Sequence, residues 1–450
     1  VLVGWGQKAN TRQIKQKAQD LGLPYWQLED GFIGYIGHPA RGGKAVSLIA
    51  DPVGIYYDAR QPSRLEQLIA TPCDTALLAR AEALASELLR LGITKYNCYA
   101  AGSALPDALA ARLHSDARPK VLLIDQVAGD LSIPGALASE ADFVEMVAAA
   151  RRNHPGARLL LRTHPDTRLG KKRGVLAQMQ LDDVERITDH CHPHALLNVV
   201  EAVYTVSSQM GFEALLLGKA VWCFGMPFYA GWGLTHDSKS CPRRQAQISL
   251  PQLVAAALIL YPRYLDPVLG QRCEVEQVLE VIADQLNPAP RYRRLYMVGF
   301  SLWKRAFMRA FCQPLAEELR FVRTPPKRLA ADEQVLVWGS RYPELANAIR
   351  VEDGFIRSRG LGSNLCRPSS LSIDPVGIYF DSRRPSGLEQ LLNQQQLSEQ
   401  ALERGAALVD LLRQHGVSKY NVGTVQPFTP PADGRTLVLV VGQVDGDASI

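Results

Sequence analysis

Four short stretches carry residue types that can do chemistry. The first is Asp125-Gln126-Val127-Ala128-Gly129-Asp130-Leu131-Ser132, directly after the apolar run Val121–Ile124. Loops at the carboxyl ends of parallel strands are where open α/β sheets hold ligands. A carboxylate exposed there by Gly129 is a nucleophile or general base, or it caps the following turn. The second is Val206-Ser207-Ser208-Gln209-Met210-Gly211-Phe212-Glu213. Two serines ahead of a helix offer hydroxyls and unpaired N–H groups to a phosphate, with Gly211 allowing close approach, or they form an ordinary N-cap. The third is Arg162-Thr163-His164-Pro165-Asp166, followed by Arg168, Lys171, Lys172 and Arg173. His164 can donate to a phosphate oxygen and Pro165 stiffens the turn; otherwise this is a solvated charge run. The fourth is Glu29-Asp30 ahead of Gly31-Phe32, an acidic pair or a solvated turn. One carboxylate from each half of a cleft suits acid/base work on a sugar. Lys95-Tyr96-Asn97 can bind an anionic acceptor or close a helix. Phe224–Trp232 reads as a lid or as a packed loop.

The elements that position these residues come twice. Residues 51–69 and 374–392 share 14 identities in 19 positions at an offset of 323. Glu29-Asp30-Gly31-Phe32 recurs as Glu352-Asp353-Gly354-Phe355, and Lys95-Tyr96-Asn97 as Lys419-Tyr420-Asn421. The Gln126/Asp130/Ser132 pattern recurs as Gln443, Asp447 and Ser449. Solenoid repeats run roughly 20–50 residues, so this period is that of a duplicated module. From Val121 onward, apolar runs alternate with helical stretches, the pattern of parallel, doubly wound sheets. The expected divisions are 1–118 and 119–286 for the two halves of module one, with trailing helices in the second. Module two follows as 287–434, and 435–450 opens its second half with a strand at Leu437–Val441. Gly6 to Glu29 spans 23 positions but Gly339 to Glu352 only 13, so a helix is missing from copy two.

The composition, 47% apolar and 21% charged, is that of a soluble globular protein. No apolar run reaches the roughly 18 residues of a spanning helix. Eight scattered cysteines without a C-x-x-C pair argue against a zinc or dithiol site and for free thiols in a reducing compartment. No clustered His/Asp set points to a metal. A net charge of +5 permits an anionic partner, but no basic stripe with stacking aromatics supports nucleic acid. The first residue is Val and the last lie inside a repeated motif, so both ends read as clipped.

In these motifs, taken in this order from end to end, the chain resembles the capsule polysaccharide β-Kdo transferases of the KpsC type. The resemblance implies tandem GT-B modules, each of two Rossmann-like domains, with the second incomplete. It implies transfer of Kdo from CMP-β-Kdo, with retention, to a phosphatidylglycerol-type lipid acceptor, building a poly-β-Kdo linker. It further implies a cytoplasmic protein at the inner-membrane surface, working beside capsule assembly and export proteins, with no cofactor and no metal. By position, Asp130 matches the nucleophile, Asp447 its copy-two counterpart, and Glu29 the catalytic partner or an acceptor-side acid. Gln126, Ser132, His164, Pro165, Ser207, Ser208, Gly211 and Glu213 fall on the donor side, Lys95 and Asn97 on the acceptor side. Copy one departs from the resemblance at Gly34-Tyr35, where copy two has Arg357-Ser358, the commoner form in such proteins, and the departure falls at an acceptor contact. Copy two, having no His-Pro or Ser-Ser motif after Asp447, is expected not to bind donor. The competing expectations are a nucleotide-sugar epimerase or hydrolase of the same fold, and a non-catalytic sugar-nucleotide or lipid-binding component of a capsule export complex.

Overall fold

The computed structural model describes residues 1–7, 9–39, 42–99, 104–163, 167, 172–267, 270–286, 291–361, 364–394, 396–397, 399–423 and 436–443. His164, Pro165 and Asp447 lie outside them. The chain forms two compact units, Val1–Asn287 and Pro288–Ile450.

The first unit holds a small antiparallel pair, Tyr35–Ile36 with Lys44–Ala45, and two larger sheets of six and five strands. One is fully parallel, in the order His236–Asp237, Ala220–Cys223, Ala202–Thr205, Lys120–Ile124, Arg158–Arg162, Val184–Ile187. Its central strand is buried on both faces, since Val121, Leu122, Leu123 and Ile124 are 0–3% exposed. That explains the unbroken apolar run, because a parallel strand covered by helices on both sides has no polar face to alternate with. The helices Glu140–Asn153, Pro193–Asn198 and Met210–Leu216 are the crossovers.

The other sheet runs Leu2–Trp5, Tyr25–Asp30, Ser47–Asp51, Arg263–Asp266, Gln271–Cys273. Its first pair is parallel and the rest antiparallel. The last two strands lie among the residues assigned by sequence to the second half, yet they build on the first sheet. The helix Thr75–Leu91 shows why this return is stable. Asp74 caps its start by accepting from the Leu77 N–H at 2.8 Å, and Gly92, at φ 64°, ends it. Ala81, Leu84 and Leu88 bury one face. The segment Leu250–Leu260 and the helix Val275–Gln285 pack on it, and Arg80 reaches across to Glu274 and Glu276 at 2.8 Å each.

The second unit carries the sheet Ala316–Val322, Tyr292–Val298, Glu333–Trp338, Ile349–Asp353, Leu371–Asp374. Its last three strands repeat the parallel-then-antiparallel pairing of Leu2–Trp5, Tyr25–Asp30 and Ser47–Asp51 in the same register: Asp30 faces Leu48 and Asp353 faces Leu371. The most identical stretch of the repeat has a structural cause. Asp51 accepts backbone N–H groups from Val53, Gly54 and Arg64, and Asp374 does so from Val376, Gly377 and Gly387. A Cβ on Gly54 would stand 2.2 Å from the Pro62 carbonyl oxygen, and one on Gly377 2.1 Å from that of Pro385. The Asp-Pro-Val-Gly motif is therefore a turn cage, not a site. The helix Ala9–Asp20 has no counterpart between Gly339 and Glu352. The strand expected at Leu437–Val441 is corrected: these residues carry no strand and are 56–87% exposed. Their counterpart, Lys120–Ile124, is held by a neighbour on each side, whereas Leu437–Val441 pairs with no strand among the described residues.

One buried ion pair ties the helix Arg64–Ala70 to the loop after the parallel sheet. Glu66 takes Arg243 at 2.7 Å and Arg244 at 3.1 Å, and the Arg244 side chain is 3% exposed. Arg244 also donates to the Pro227 and Ala230 carbonyls. Removing one partner of such a pair leaves an uncompensated buried charge. Glu66→Gln is expected to cost about 3–5 kcal/mol in denaturant unfolding of the full chain. A loss under about 1 kcal/mol would show that Arg244 is compensated by its carbonyls alone.

Candidate active site

The two larger sheets of the first unit face a cleft of about 670 Å³. It gathers Glu29 and Lys95 from the mixed-sheet side with Gln126, Asp130, Ser132, Ser207, Ser208 and Glu213 from the parallel-sheet side.

The parallel-sheet wall is organised by one amide. Gln126, buried at the end of the central strand, donates through Nε2 to Ser207 Oγ at 2.9 Å. Its Oε1 accepts the Ser207 backbone N–H at 2.9 Å. Ser132 Oγ lies 3.4 Å from both Gln126 Nε2 and Ser207 Oγ. Two loops from adjacent strands are thereby locked with hydroxyls in the cleft. The helix Met210–Leu216 is capped not by a serine but by Gln209, which makes no side-chain cap bond; Ser208, one residue earlier, accepts the Met210 N–H through Oγ at 3.3 Å. Asp130 is exposed in the cleft, while its Oδ1 accepts the Ser132 N–H at 2.9 Å and Gly129 turns the loop at φ 78°. Cap and cleft carboxylate are here the same residue.

Opposite stands Glu29, which the sequence marked, and Tyr57, which it did not. A Cβ on Gly6 would lie 3.1 Å from both Glu29 Oε2 and the Tyr57 hydroxyl, so the absent side chain at residue 6 makes room for both. Burial raises the Tyr57 phenol well above its ordinary range, and the charges of Glu29 and Asp130 raise it further. Tyr57 thus sits within the fields of both candidate catalytic carboxylates. Lys95 is pulled down by burial, but Tyr56, Tyr96, Asp30 and Glu29 together outweigh this and its pKa is raised. It remains a cation in the cleft wall.

At the base, Glu213 is buried and its carboxyl is pushed up to about 7 by burial, against the pull of Arg162 and Lys95. His194 Nε2 lies 3.9 Å away, but burial, and then His192, lower its imidazole to about 3. The pair is therefore no ion pair near neutrality.

Two expected residues have other work. Asn97, at φ 46°, accepts the Thr94 N–H at 2.8 Å and donates to the Tyr35 carbonyl at 2.9 Å, so it shapes the turn carrying Lys95. Gly211 admits not a ligand but Tyr229, whose hydroxyl would be 2.2 Å from an added Cβ and which donates to the Ser208 carbonyl. Phe224–Trp232 is the packed loop, with Met226, Tyr229, Ala230 and Trp232 at most 1% exposed; Phe228 alone turns an aromatic face to the cleft. Arg162, also lining the cleft, is held by the Cys191 carbonyl at 3.2 Å.

A parallel, helix-covered sheet facing a second α/β layer across such a cleft defines a GT-B-like architecture. The chain matches the capsule polysaccharide biosynthesis protein family over residues 1–264 and 343–427, and it belongs to that family. It is 39% identical to the capsule polysaccharide modification protein LipA of Neisseria meningitidis serogroup B over 472 aligned residues, covering all of this chain and 66% of that protein. It is 36% identical to the lipopolysaccharide-processing protein LpsZ of Rhizobium meliloti, over 64% of this chain and 65% of that one. Among solved structures, Thermosulfurimonas dismutans KpsC, beta Kdo 2,4 transferase, is 44% identical with a TM-score of 0.59, over 62% of this chain and 86% of its own. No helix among the described residues is long and apolar enough to cross a membrane.

The Glu213 shift makes stability depend on pH. Its folded pKa stands above the ordinary 4.5, so between about 4.5 and 7 the folded state holds a proton that the unfolded chain has released. Stability from this group is intact below that window and falls as pH rises through it, by on the order of 3 kcal/mol. Thermal unfolding of Glu213→Gln across pH 4–8 is expected to lack this decline and to exceed the wild type at pH 8. An unchanged profile would contradict the assignment.

Proposed function

We propose that the first unit is a retaining β-Kdo transferase that takes Kdo from CMP-β-Kdo and passes it to a Kdo-bearing phosphatidylglycerol-type lipid, extending a capsule linker at the inner-membrane surface. The observation that carries this reading is the placement of Asp130 and Glu29 on opposite walls of one cleft, with Tyr57 in the field of both. The T. dismutans neighbour, named as a Kdo transferase, supports the sugar.

The chemistry follows from the walls. Ser207 and Ser132, held by Gln126, face the leaving phosphate. Donors fixed before the reaction act best where charge develops, an effect worth several kcal/mol. Asp130 attacks the anomeric carbon; the C–O bond to phosphate breaks and CMP departs with the electron pair. An acceptor hydroxyl then attacks the same carbon and releases Asp130. Two inversions give net retention. Glu29 takes the acceptor proton in the second step. Lys95 anchors an anionic acceptor. Ser207 is held by Gln126, and an Asn at residue 130 keeps an oxygen to accept the Ser132 N–H, so donor binding survives loss of the Asp130 charge.

Mixing the full chain with CMP-Kdo and a short-chain Kdo-lysophosphatidylglycerol is expected to add one Kdo, read by mass spectrometry. Asp130→Asn is expected to lose at least about 10³-fold in transfer while keeping donor affinity. Donor turnover without acceptor would favour a hydrolase or epimerase. Binding without any turnover, indifferent to Asp130, would favour a non-catalytic capsule component.

A further inference from the structure

Tyr57 lines the cleft but takes no part in the steps above. Its position is fixed from both walls. The next residue, Asp58, is buried and accepts from Gln7 Nε2 at 2.5 Å and from Arg60 Nε at 2.7 Å, which ties the turn to the loop after Gly6. On its other side the turn is docked on the short helix Ser132–Gly135 that follows Asp130. The Ala59 N–H donates to the Gly135 carbonyl at 2.8 Å, and a Cβ on Gly135 would stand 2.4 Å from the Tyr57 carbonyl oxygen.

The Tyr57 hydroxyl is placed but not used by the protein. It borders the opening at Gly6 together with Glu29 Oε2. Glu29 and Asp130 act on it through their charge, while neither takes its hydrogen. Burial and those charges keep the phenol protonated, so near neutrality it is a neutral donor facing the cleft. The second unit shows that the turn does not need this hydroxyl. Phe380 stands there, its ring edge-on to Tyr379 at 5.5 Å and 87°, as the Tyr57 ring is to Tyr56 at 5.4 Å and 85°. The packing of the ring repeats and the oxygen does not.

A transferred sugar must lie between the walls, with its anomeric carbon toward Asp130 and the acceptor oxygen toward Glu29. Kdo is a sugar acid whose carboxylate is bonded to the anomeric carbon itself. Every reactive pose therefore carries that carboxylate into the space shared by two protein carboxylates. Ionised carboxylates only accept hydrogen bonds, so this space is rich in acceptors and needs a donor. A cation there would pair with Asp130 and blunt it as a nucleophile. A neutral hydroxyl satisfies the sugar and leaves both protein charges intact.

We propose that Tyr57 is a specificity-determining residue of the first unit, its hydroxyl donating to the carboxylate on the anomeric carbon of the transferred sugar. The bond orients the anomeric carbon toward Asp130, and a sugar without that carboxylate loses it. Lys95 remains the anchor of the acceptor. The inference rests on the transferase reading above and adds the group that recognises the sugar.

The test is calorimetry on the full chain carrying Asp130→Asn, which is expected to bind donor without turning it over. The probes are CMP-Kdo, its C1 methyl ester, and CMP alone. Adding Tyr57→Phe is expected to raise the Kd for CMP-Kdo about tenfold, for the ester less than about threefold, and for CMP less than about twofold, because hydrogen bonds to charged groups are the stronger ones. Unchanged CMP binding also reports that the doubly substituted cleft is folded. An equal loss for acid and ester would place the hydroxyl on another group of the sugar and overturn the proposal. An equal loss for all three probes would make Tyr57 a structural residue, and no loss for any would leave it without a contact; either overturns the proposal. If the Asp130→Asn chain itself binds neither CMP nor CMP-Kdo, the transferase reading fails first and the assignment of Tyr57 falls with it.

Discussion

The site depends on the Gln126 amide. It stands at the end of the central parallel strand and bonds both the backbone and the hydroxyl of Ser207, with Ser132 at the edge of reach. A primary amide is suited to this because it offers donor and acceptor on one rigid plane, and both are engaged. Buried polar groups cost little only when satisfied, so the bond that aligns the two loops also makes the buried Gln126 tolerable. Asp130 inherits its position from the same loop: Gly129 turns the chain, and the Ser132 N–H holds the carboxylate.

Across the cleft the constraint is space. Gly6 ends its strand without a Cβ, and Glu29 and Tyr57 occupy the opening. In the second unit Gly339, at φ 58°, leaves the same opening for Glu352, whose Oε2 would be 3.2 Å from an added Cβ. The repetition of Gly and Glu is thus a repeated piece of site geometry. The longer identical stretch around Asp51 and Asp374 is a repeated turn. High identity marked the scaffold, and sparse identity marked the chemistry.

Four strands of the parallel sheet were legible as short apolar runs, Val121–Ile124, Arg158–Leu161, Ala202–Val206 and Ala220–Phe224; Val184–Ile187, with its charged Glu185 and Arg186, and the polar pair His236–Asp237 were not. The return of Arg263–Asp266 to the first sheet was not legible either: its exposed Arg263 and Leu265 alternate with buried Tyr264 and Asp266, a pattern too short to announce a partner some 200 residues away. Asp130, Glu29 and Gln126 were readable from spacing and recurrence. Tyr57 was not, since copy two carries Phe380 there. Nor was the true work of Asn97 and Gly211, because a residue that shapes a turn and one that touches a ligand look alike until the neighbours are known. Asn97 and Asn421 both adopt positive φ, which accounts for their repetition without any ligand.

The central claim is that the Asp130 carboxylate forms a bond to the transferred sugar. The direct measurement is the intact mass of the full chain, quenched in acid after incubation with CMP-Kdo in the absence of acceptor, followed by peptide mapping. The account predicts an adduct of one Kdo residue on the peptide containing Asp130, absent from Asp130→Asn and discharged when acceptor is added before the quench. An unmodified chain that nevertheless transfers Kdo, or an adduct mapping to another residue, would contradict it.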